Sequence, residues 1–230
     1  MNQQSFHFSP IGVARTPYPQ KFGIARQSGL VPAAQAVIVL NAQFNADTVR
    51  GLDEFDYVWV QFVFHQTLDE GFSGLVRPPR LGGKIKKGVF ATRSPHRPNA
   101  MGLSLLKLER IEYGQNIKLY LSGADLLDGT PILDIKPYLP HIESKPDAKG
   151  GFTEEHREVL NVQWLPESQN KGLNQETVAL IEQSLAQDPR PAHQHGKDKE
   201  FVMQVSAYDV RFMCIQQTVY IISVTSTTDK

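Results

Sequence analysis

Arg93, His96 and Arg97 stand together in the stretch ATRSPHRPN (residues 91–99), among two prolines and between runs that read as strands. A loop that only reverses the chain is served by Gly, Asn or Asp. Guanidinium forks suit carboxylates and phosphates, and an imidazole can exchange a proton near neutral pH. Two more polar insertions interrupt apolar runs. His65 and Gln66 follow VWVQFVF (residues 58–64), and Asp134 and Lys136 break ILDIKPY (residues 132–138). A charge in a strand otherwise suited to burial is costly unless paired. Each insertion alone fits a structural salt bridge, but three of them at strand ends suggest one shared pocket at a barrel rim.

The charge distribution points the same way. Lys and Arg balance Asp and Glu at 24 each, yet residues 71–108 contain no acid and eight cations: Arg77, Arg80, Lys84, Lys86, Lys87, Arg93, Arg97 and Lys107. The first 46 residues also lack acids and carry Arg15, Lys21 and Arg26. If the fold joins these segments, a neutral protein shows one basic face, the electrostatic footprint of a phosphate binder.

Other chemistries find less support. Of the seven histidines, His193 and His195 share a polar loop with no third ligand at metal spacing, so no metal is expected. There is no G-x-S-x-G elbow, and Cys214, the single cysteine, sits in the strand-like VRFMCI as a core residue. No G-x-G-x-x-G follows a strand, which disfavours a doubly wound nucleotide-binding sheet. The longest apolar runs fall far short of the roughly 20 residues that span a bilayer, and MNQQSFHFSP lacks the pattern of a secretory signal. The expected compartment is the cytoplasm.

The elements that must position these residues are mostly short strands. IGVART, AVIVL, DYVWVQFVF, KGVFAT, GLSLLKLERI, NIKLYLSGA and PILDIKPY alternate with turn chemistry, and NIKLYL places Ile117, Leu119 and Leu121 on one face. Tyr113 to Asn116 supplies a hairpin turn, and only ADTVRGLD reads as a short helix in this half. Over the first 140 residues the pattern predicts a mainly β fold, a barrel or a sandwich. PHIESKPDAKGG marks a boundary, and residues 149–230 read as a smaller α+β domain. Within it NQETVALIEQSLAQ is a helix capped by Asn174, and FVMQVSAYDVRF and TVYIISVTS are two strands, the first bulged or bent near Ala207 and Tyr208.

The segments PQKFGIARQSGL, FVFHQT, RPPRLGGK, GVFATRSPHRPN and DLLDGTPILDIKPYLP resemble, in order and spacing, the TsaA/TrmO (YaeB) family of tRNA methyltransferases. The resemblance covers about residues 5 to 148, and LAQDPRPA (residues 185–192) is similar to the C-terminal extension of bacterial members. The chain departs from the family at Ala100-Met101, where Pro-Ile is common, and at His141, where an aromatic is usual. The resemblance implies a single β-barrel enzyme, acting as a homodimer. It would transfer methyl from S-adenosyl-L-methionine to the exocyclic N6 of threonylcarbamoyladenosine at position 37 of threonine tRNA.

Carried over residue by residue, the resemblance assigns Arg26, Gln27, Ser28, His65, Gln66, Arg93, Leu103, Leu133, Asp134, Ile135 and Lys136 to the cofactor. The chemistry agrees: the methionyl carboxylate suits the fork of Arg26 or Arg93, and the adenine edge suits backbone groups such as those of Leu103 and Ile135. Asp134 suits the ammonium group or the ribose hydroxyls. His65, Asp134 and Tyr138 are the candidates for proton removal. Arg77, Arg80, Lys84, Lys86, Lys87 and Arg97 are expected to meet the RNA, Arg97 with Arg77 or Arg80 holding the carboxylate of the threonylcarbamoyl arm. The alternative is a non-catalytic barrel that binds RNA through the basic loop.

Overall fold

The computed structural model describes residues 5–154, 159–168, 172–191, 194–196 and 199–229. Its first half contains β1 (Gly12–Arg15), β2 (Ala36–Leu40), β3 (Tyr57–Val63), β4 (Leu75–Val76), β5 (Lys87–Gly88), β6 (Met101–Glu112), β7 (Lys118–Ser122) and β8 (Thr130–Pro137). Six of these close a barrel in the order β1-β2-β7-β6-β3-β8, every neighbour antiparallel. The predicted β-barrel is thus the observed one, and closure leaves its sheet no open edge. Alternation fills it: Val58, Val60 and Phe62 of β3 point inward with Ile38, Leu106, Leu119, Leu121 and Ile132, all buried. Tyr57, Trp59, Gln61 and Val63 take the outer face.

One irregularity decides where the polar residues of β8 go. Along β3 and β8, Gln61 faces Asp134 but Phe62 faces Ile132, so Leu133 is an extra residue in the ladder. Without it, the two-residue period would send Asp134 inward with Ile132. The bulge at Leu133 instead turns Asp134 and Lys136 outward, opposite Gln61 and Trp59. The charges that seemed to interrupt a buried strand therefore never enter the core.

Two predicted elements of this half differ. KGVFAT supplies only Lys87 and Gly88 to the short β4–β5 ribbon, and Val89–Ala91 forms a 3-10 turn instead of a barrel strand. ADTVRGLD is two 3-10 turns, Ala46–Val49 and Leu52–Glu54, broken at Gly51 with φ of 79°.

After α1 (Pro140–Glu143), the chain forms β9 (Asn161–Trp164), α2 (Gln175–Ala186), β10 (Glu200–Val205), β11 (Tyr208–Ile215) and β12 (Thr218–Ser226). The sheet order is β10-β11-β12-β9, with β9 parallel to β12. Helix α2 has the expected cap, Asn174 accepting from the Thr177 amide at 2.8 Å. FVMQVSAYDVRF is a hairpin of β10 and β11 that turns at Ser206 (φ 51°), so the shift in apolar phase marks a reversal of the chain. This sheet and α2 pack on the loop after β1: Phe22 stacks on Phe201 and Phe212, and the Tyr18 hydroxyl meets Ser184 Oγ of α2 at 3.3 Å. One continuous apolar cluster links barrel and sheet.

Candidate active site

The loop after β1 is fastened to the turn after β7 by a close backbone approach. The Gly29 amide donates to the Gly123 carbonyl at 2.8 Å, and a Cβ on Gly123 would stand 3.0 Å from the Gly29 Cα. Gly123 also has φ of 74°, so this contact needs glycine twice over. It carries Arg26, Gln27 and Ser28 to the end of the barrel where Arg93 arrives. There Arg93 Nη1 donates to Gln27 Oε1, and Gln27 Nε2 donates to the Arg26 carbonyl. Below them lies Asp125, whose carboxylate accepts from Ser104 Oγ at 2.6 Å. Burial pushes the Asp125 carboxyl above its ordinary range, against the Ser104 hydroxyl, its own and the Ser28 backbone amides and the Arg93 charge, which pull it down. Asp125 opens the motif DLLDGTPILDIKPYLP but received no role from it, and it joins the candidate site. Its signal was present: a carboxylate between Ala124 and Leu126, both fully buried.

Of the other expected cofactor residues, Leu103, Asp134 and Lys136 lie on the outer face of the same wall, while Ile135, opposite Val60, packs against the core. Leu103, 48% exposed, faces Gln61, which faces Asp134. Asp134 Oδ2 pairs with Lys136 Nζ at 2.6 Å, and its Oδ1 accepts from the Ile135 amide at 2.9 Å. Tyr138 packs edge-on against Trp59 (6.0 Å) and Tyr57 (6.4 Å). Glu143 of α1 holds the Trp59 indole at 3.0 Å and the Leu139 amide at 2.9 Å. Strand β6 separates the two groups: Ser104 points in toward Asp125 and Leu103 points out.

His65 and Gln66 open a 3-10 turn directly after β3, as expected of a strand end. The Gln66 carbonyl accepts from Lys21 Nζ, which also reaches Glu70 at 3.4 Å, and His96 Nε2 lies 3.7 Å from Glu70. Arg97 Nη1 donates to the carbonyls of Thr92 (2.8 Å) and Val89 (3.3 Å). Arg77, Lys84 and Lys86 are exposed around the β4–β5 ribbon, with Arg80 and Lys87 half-buried beside them. Lys87 stands 5.9 Å over the Phe152 ring.

Arg26 has a partner that the sequence did not suggest. Its Nη2 donates to the carbonyls of Asp188 (3.1 Å) and Arg190 (3.2 Å), in the loop after α2. That loop is held by a buried ion pair: Arg190, 4% exposed, places Nε and Nη2 at 2.8 and 3.1 Å from the two Asp188 oxygens. His195 Nε2 lies 3.3 Å from Asp188 Oδ2; His193 is outside the described residues. Cys214 is buried, with its thiol pushed up by burial.

Comparison with known proteins now adds to this geometry. Residues 13–144 match the tRNA-methyltransferase O N-terminal domain, and residues 157–227 match the TrmO C-terminal domain. The chain belongs to the tRNA-methyltransferase O family. A relative from Escherichia coli, a tRNA (adenine(37)-N6)-methyltransferase, is 43% identical over 90% of this chain and 93% of its own. Another of that name, from Eikenella corrodens, is 55% identical over 69% of this chain and 90% of its own. A crystal structure of TrmO from P. aeruginosa superposes with a TM-score of 0.81 at 35% identity, covering 98% of this chain and 99% of that one. From Val13 on, the barrel lies within the tRNA-methyltransferase O N-terminal match, and α2 and the four-stranded sheet lie within the C-terminal match. The bonds from Arg26 to residues 188 and 190 therefore join the two family regions at the loop that carries Gln27 and Ser28.

Proposed function

We propose that this enzyme methylates the exocyclic N6 of threonylcarbamoyladenosine at position 37 of threonine tRNA, with S-adenosylmethionine as donor, as a homodimer in the cytoplasm. The observation that carries the reading is the Arg93–Gln27 pair held over the half-buried Asp125 at the barrel mouth. Its donor set fits the methionyl end of the cofactor, which presents a carboxylate and an ammonium group. Arg93 offers a guanidinium to the first. Arg26 directs Nη2 away, to carbonyls, and so acts through the position of its loop. Ser28, Leu103 and Ile135 offer backbone groups for the adenine, and Leu133, Asp134 and Lys136 line the outer wall with Gln66 at its end. When bound, S-adenosylmethionine supplies an electrophilic methyl group.

The chain's own residues must orient the acceptor nitrogen and remove its proton, because the nitrogen lone pair is shared by the purine and the carbamoyl carbonyl. His65 at the strand end is the first candidate for that proton, Asp134 the second and Tyr138 the third. Arg97, with Arg77 or Arg80, holds the carboxylate of the threonylcarbamoyl arm. Lys84, Lys86 and Lys87 meet the phosphates. The division of the cofactor residues between the mouth and the outer face of one wall supports a homodimer, since a second copy set against that face would complete the pocket. Exposed Tyr57 and Leu103 on the outer face suit burial by a partner.

The test is labelled-methyl transfer to native threonine tRNA and to the same tRNA transcribed without modification. A site that pairs an arginine with the arm rejects a base lacking it, because the cation is left without its partner. Transfer to the native tRNA with little to the transcript is the expected result. Equal transfer to both would remove the threonylcarbamoyl arm from the substrate.

A further inference from the structure

Beside the pocket, the basic segment carries large apolar side chains in solvent. Phe90 is 77% exposed and Phe72 59% exposed, with Leu75 and Ile85 also exposed. One exposed ring is ordinary on a protein surface, but Phe90 is held there by unusual means. Val89 beneath it is buried, and the Val89 carbonyl accepts from the Thr92 amide (3.0 Å), the Thr92 hydroxyl (2.8 Å) and Arg97 Nη1 (3.3 Å). The Val89 amide donates to the Gly74 carbonyl at 3.1 Å, and the Arg97 guanidinium lies 5.8 Å from the Phe90 ring. The ring thus projects from a turn fixed at both ends, and little further ordering is needed for something to pack on it. Three residues on, Arg93 reaches Gln27. Phe72 belongs to the same surface, since the Ser73 amide donates to the His96 carbonyl at 3.2 Å.

The charge around these rings selects the occupant. Residues 71–97 hold seven of the segment's cations and no acid. A second copy would bring the same sign of charge to a self-paired surface, which opposes association there. A polyanion with flat apolar faces satisfies both the cations and the rings, and single-stranded RNA is such a partner. We infer that Phe90 is a stacking platform for an unpaired base next to the methylated adenine, with Phe72 and the cations following the strand beyond it. The inference rests on the tRNA methyltransferase reading above.

Its test compares wild type, Phe90→Ala and Phe90→Tyr in three measurements: tRNA binding across a salt series, calorimetric S-adenosylmethionine binding, and sedimentation at equal concentration. Phe90→Ala should lose roughly tenfold or more in tRNA affinity, the range of one base–aromatic stack. Phe90→Tyr should restore it. The salt slope should stay that of wild type, because every cation that meets a phosphate is still in place. Cofactor affinity and sedimentation should also be unchanged. Wild-type tRNA affinity in Phe90→Ala would overturn the inference while leaving the methyltransferase reading intact, whereas a wild type that neither binds nor methylates tRNA would overturn that reading as well. Weakened cofactor binding would place the ring in the cofactor pocket, and a shift to a smaller species would make the surface an interface between copies; either overturns the inference.

Discussion

Arg190→Ala tests whether the C-terminal sheet fixes the loop of Arg26, Gln27 and Ser28. The substitution removes a guanidinium that makes two bonds to Asp188, at 2.8 and 3.1 Å, and leaves a carboxylate whose side chain is only 14% exposed. Breaking one side of a buried ion pair costs about 3–5 kcal/mol, and His195, 3.3 Å away, retains some compensation, so about 3 kcal/mol is expected. For a chain of this size that lowers Tm by roughly 6–12 °C. The pH dependence separates this pair from general loss of packing. Burial alone would raise the Asp188 carboxyl, but the bond and charge of Arg190 and the charge of His195 outweigh it and hold it below the usual carboxylate range. A depressed carboxyl contributes stability that is present above its unfolded value of about 4 and is lost as pH falls through its folded value. The gap in Tm between wild type and variant should therefore be full at pH 7 and narrow steadily below about pH 4. Calorimetry at pH 7 on the folded variant should also show weaker S-adenosylmethionine binding, because the carbonyls that hold Arg26 are no longer fixed. A gap independent of pH, or cofactor affinity equal to wild type in a destabilised variant, would refute the reasoning.

Tyr18 offers an alkaline counterpart. Burial pushes its phenol up to about 12 from 10.0, so the neutral form stabilises the fold below pH 10 and that contribution is lost as pH rises toward 12. A shift of that size corresponds to roughly 3 kcal/mol, so Tyr18→Phe should gain on wild type by up to that amount in urea unfolding between pH 10 and 12; parallel curves would exclude Tyr18 as the source. Replacing Lys84, Lys86 and Lys87 together by Gln should flatten the log–log salt dependence of tRNA binding by about 0.7 to 0.9 for each phosphate that loses its lysine, with cofactor affinity intact. An unchanged slope would turn that loop away from the RNA.

The sequence made the barrel legible because its signal is local. In NIKLYL the inward set Ile117, Leu119 and Leu121 is buried, and Asn174 caps α2 as its spacing from the apolar residues requires. The misreadings share a different origin: they depend on what lies across from a residue. Nothing in ILDIKPY says that Leu133 has no partner on β3, yet that one bulge moves Asp134 and Lys136 to the other side of the wall. NVQW is four residues that become β9 only beside β12, and KGVFAT had the composition of a strand but no neighbour long enough to extend it. The candidate site follows the same division. Gln27 and Arg93 were named from motifs and are found bonded, whereas Asp125 and the Asp188–Arg190 loop act through contacts far away in sequence.

Arg93, His96 and Arg97, which drew attention first, show why a cluster in sequence is not yet a unit of function. Arg93 crosses to Gln27 at the barrel mouth, His96 faces Glu70, and Arg97 turns back on Val89 and Thr92. Their proximity follows from a short loop that must reach a pocket while bracing its own backbone. Bracing is needed because Pro95 and Pro98 remove two amide donors from the loop, leaving side chains to satisfy carbonyls that a regular turn would pair. Arg97 performs that task for the Thr92 carbonyl, which Pro95 cannot pair, and adds a bond to the Val89 carbonyl, already met by the Thr92 amide, beside the Phe90 ring. The electrostatics of the loop thus serves its architecture first, and Arg93 is the cation that this architecture delivers to Gln27 beside the half-buried Asp125.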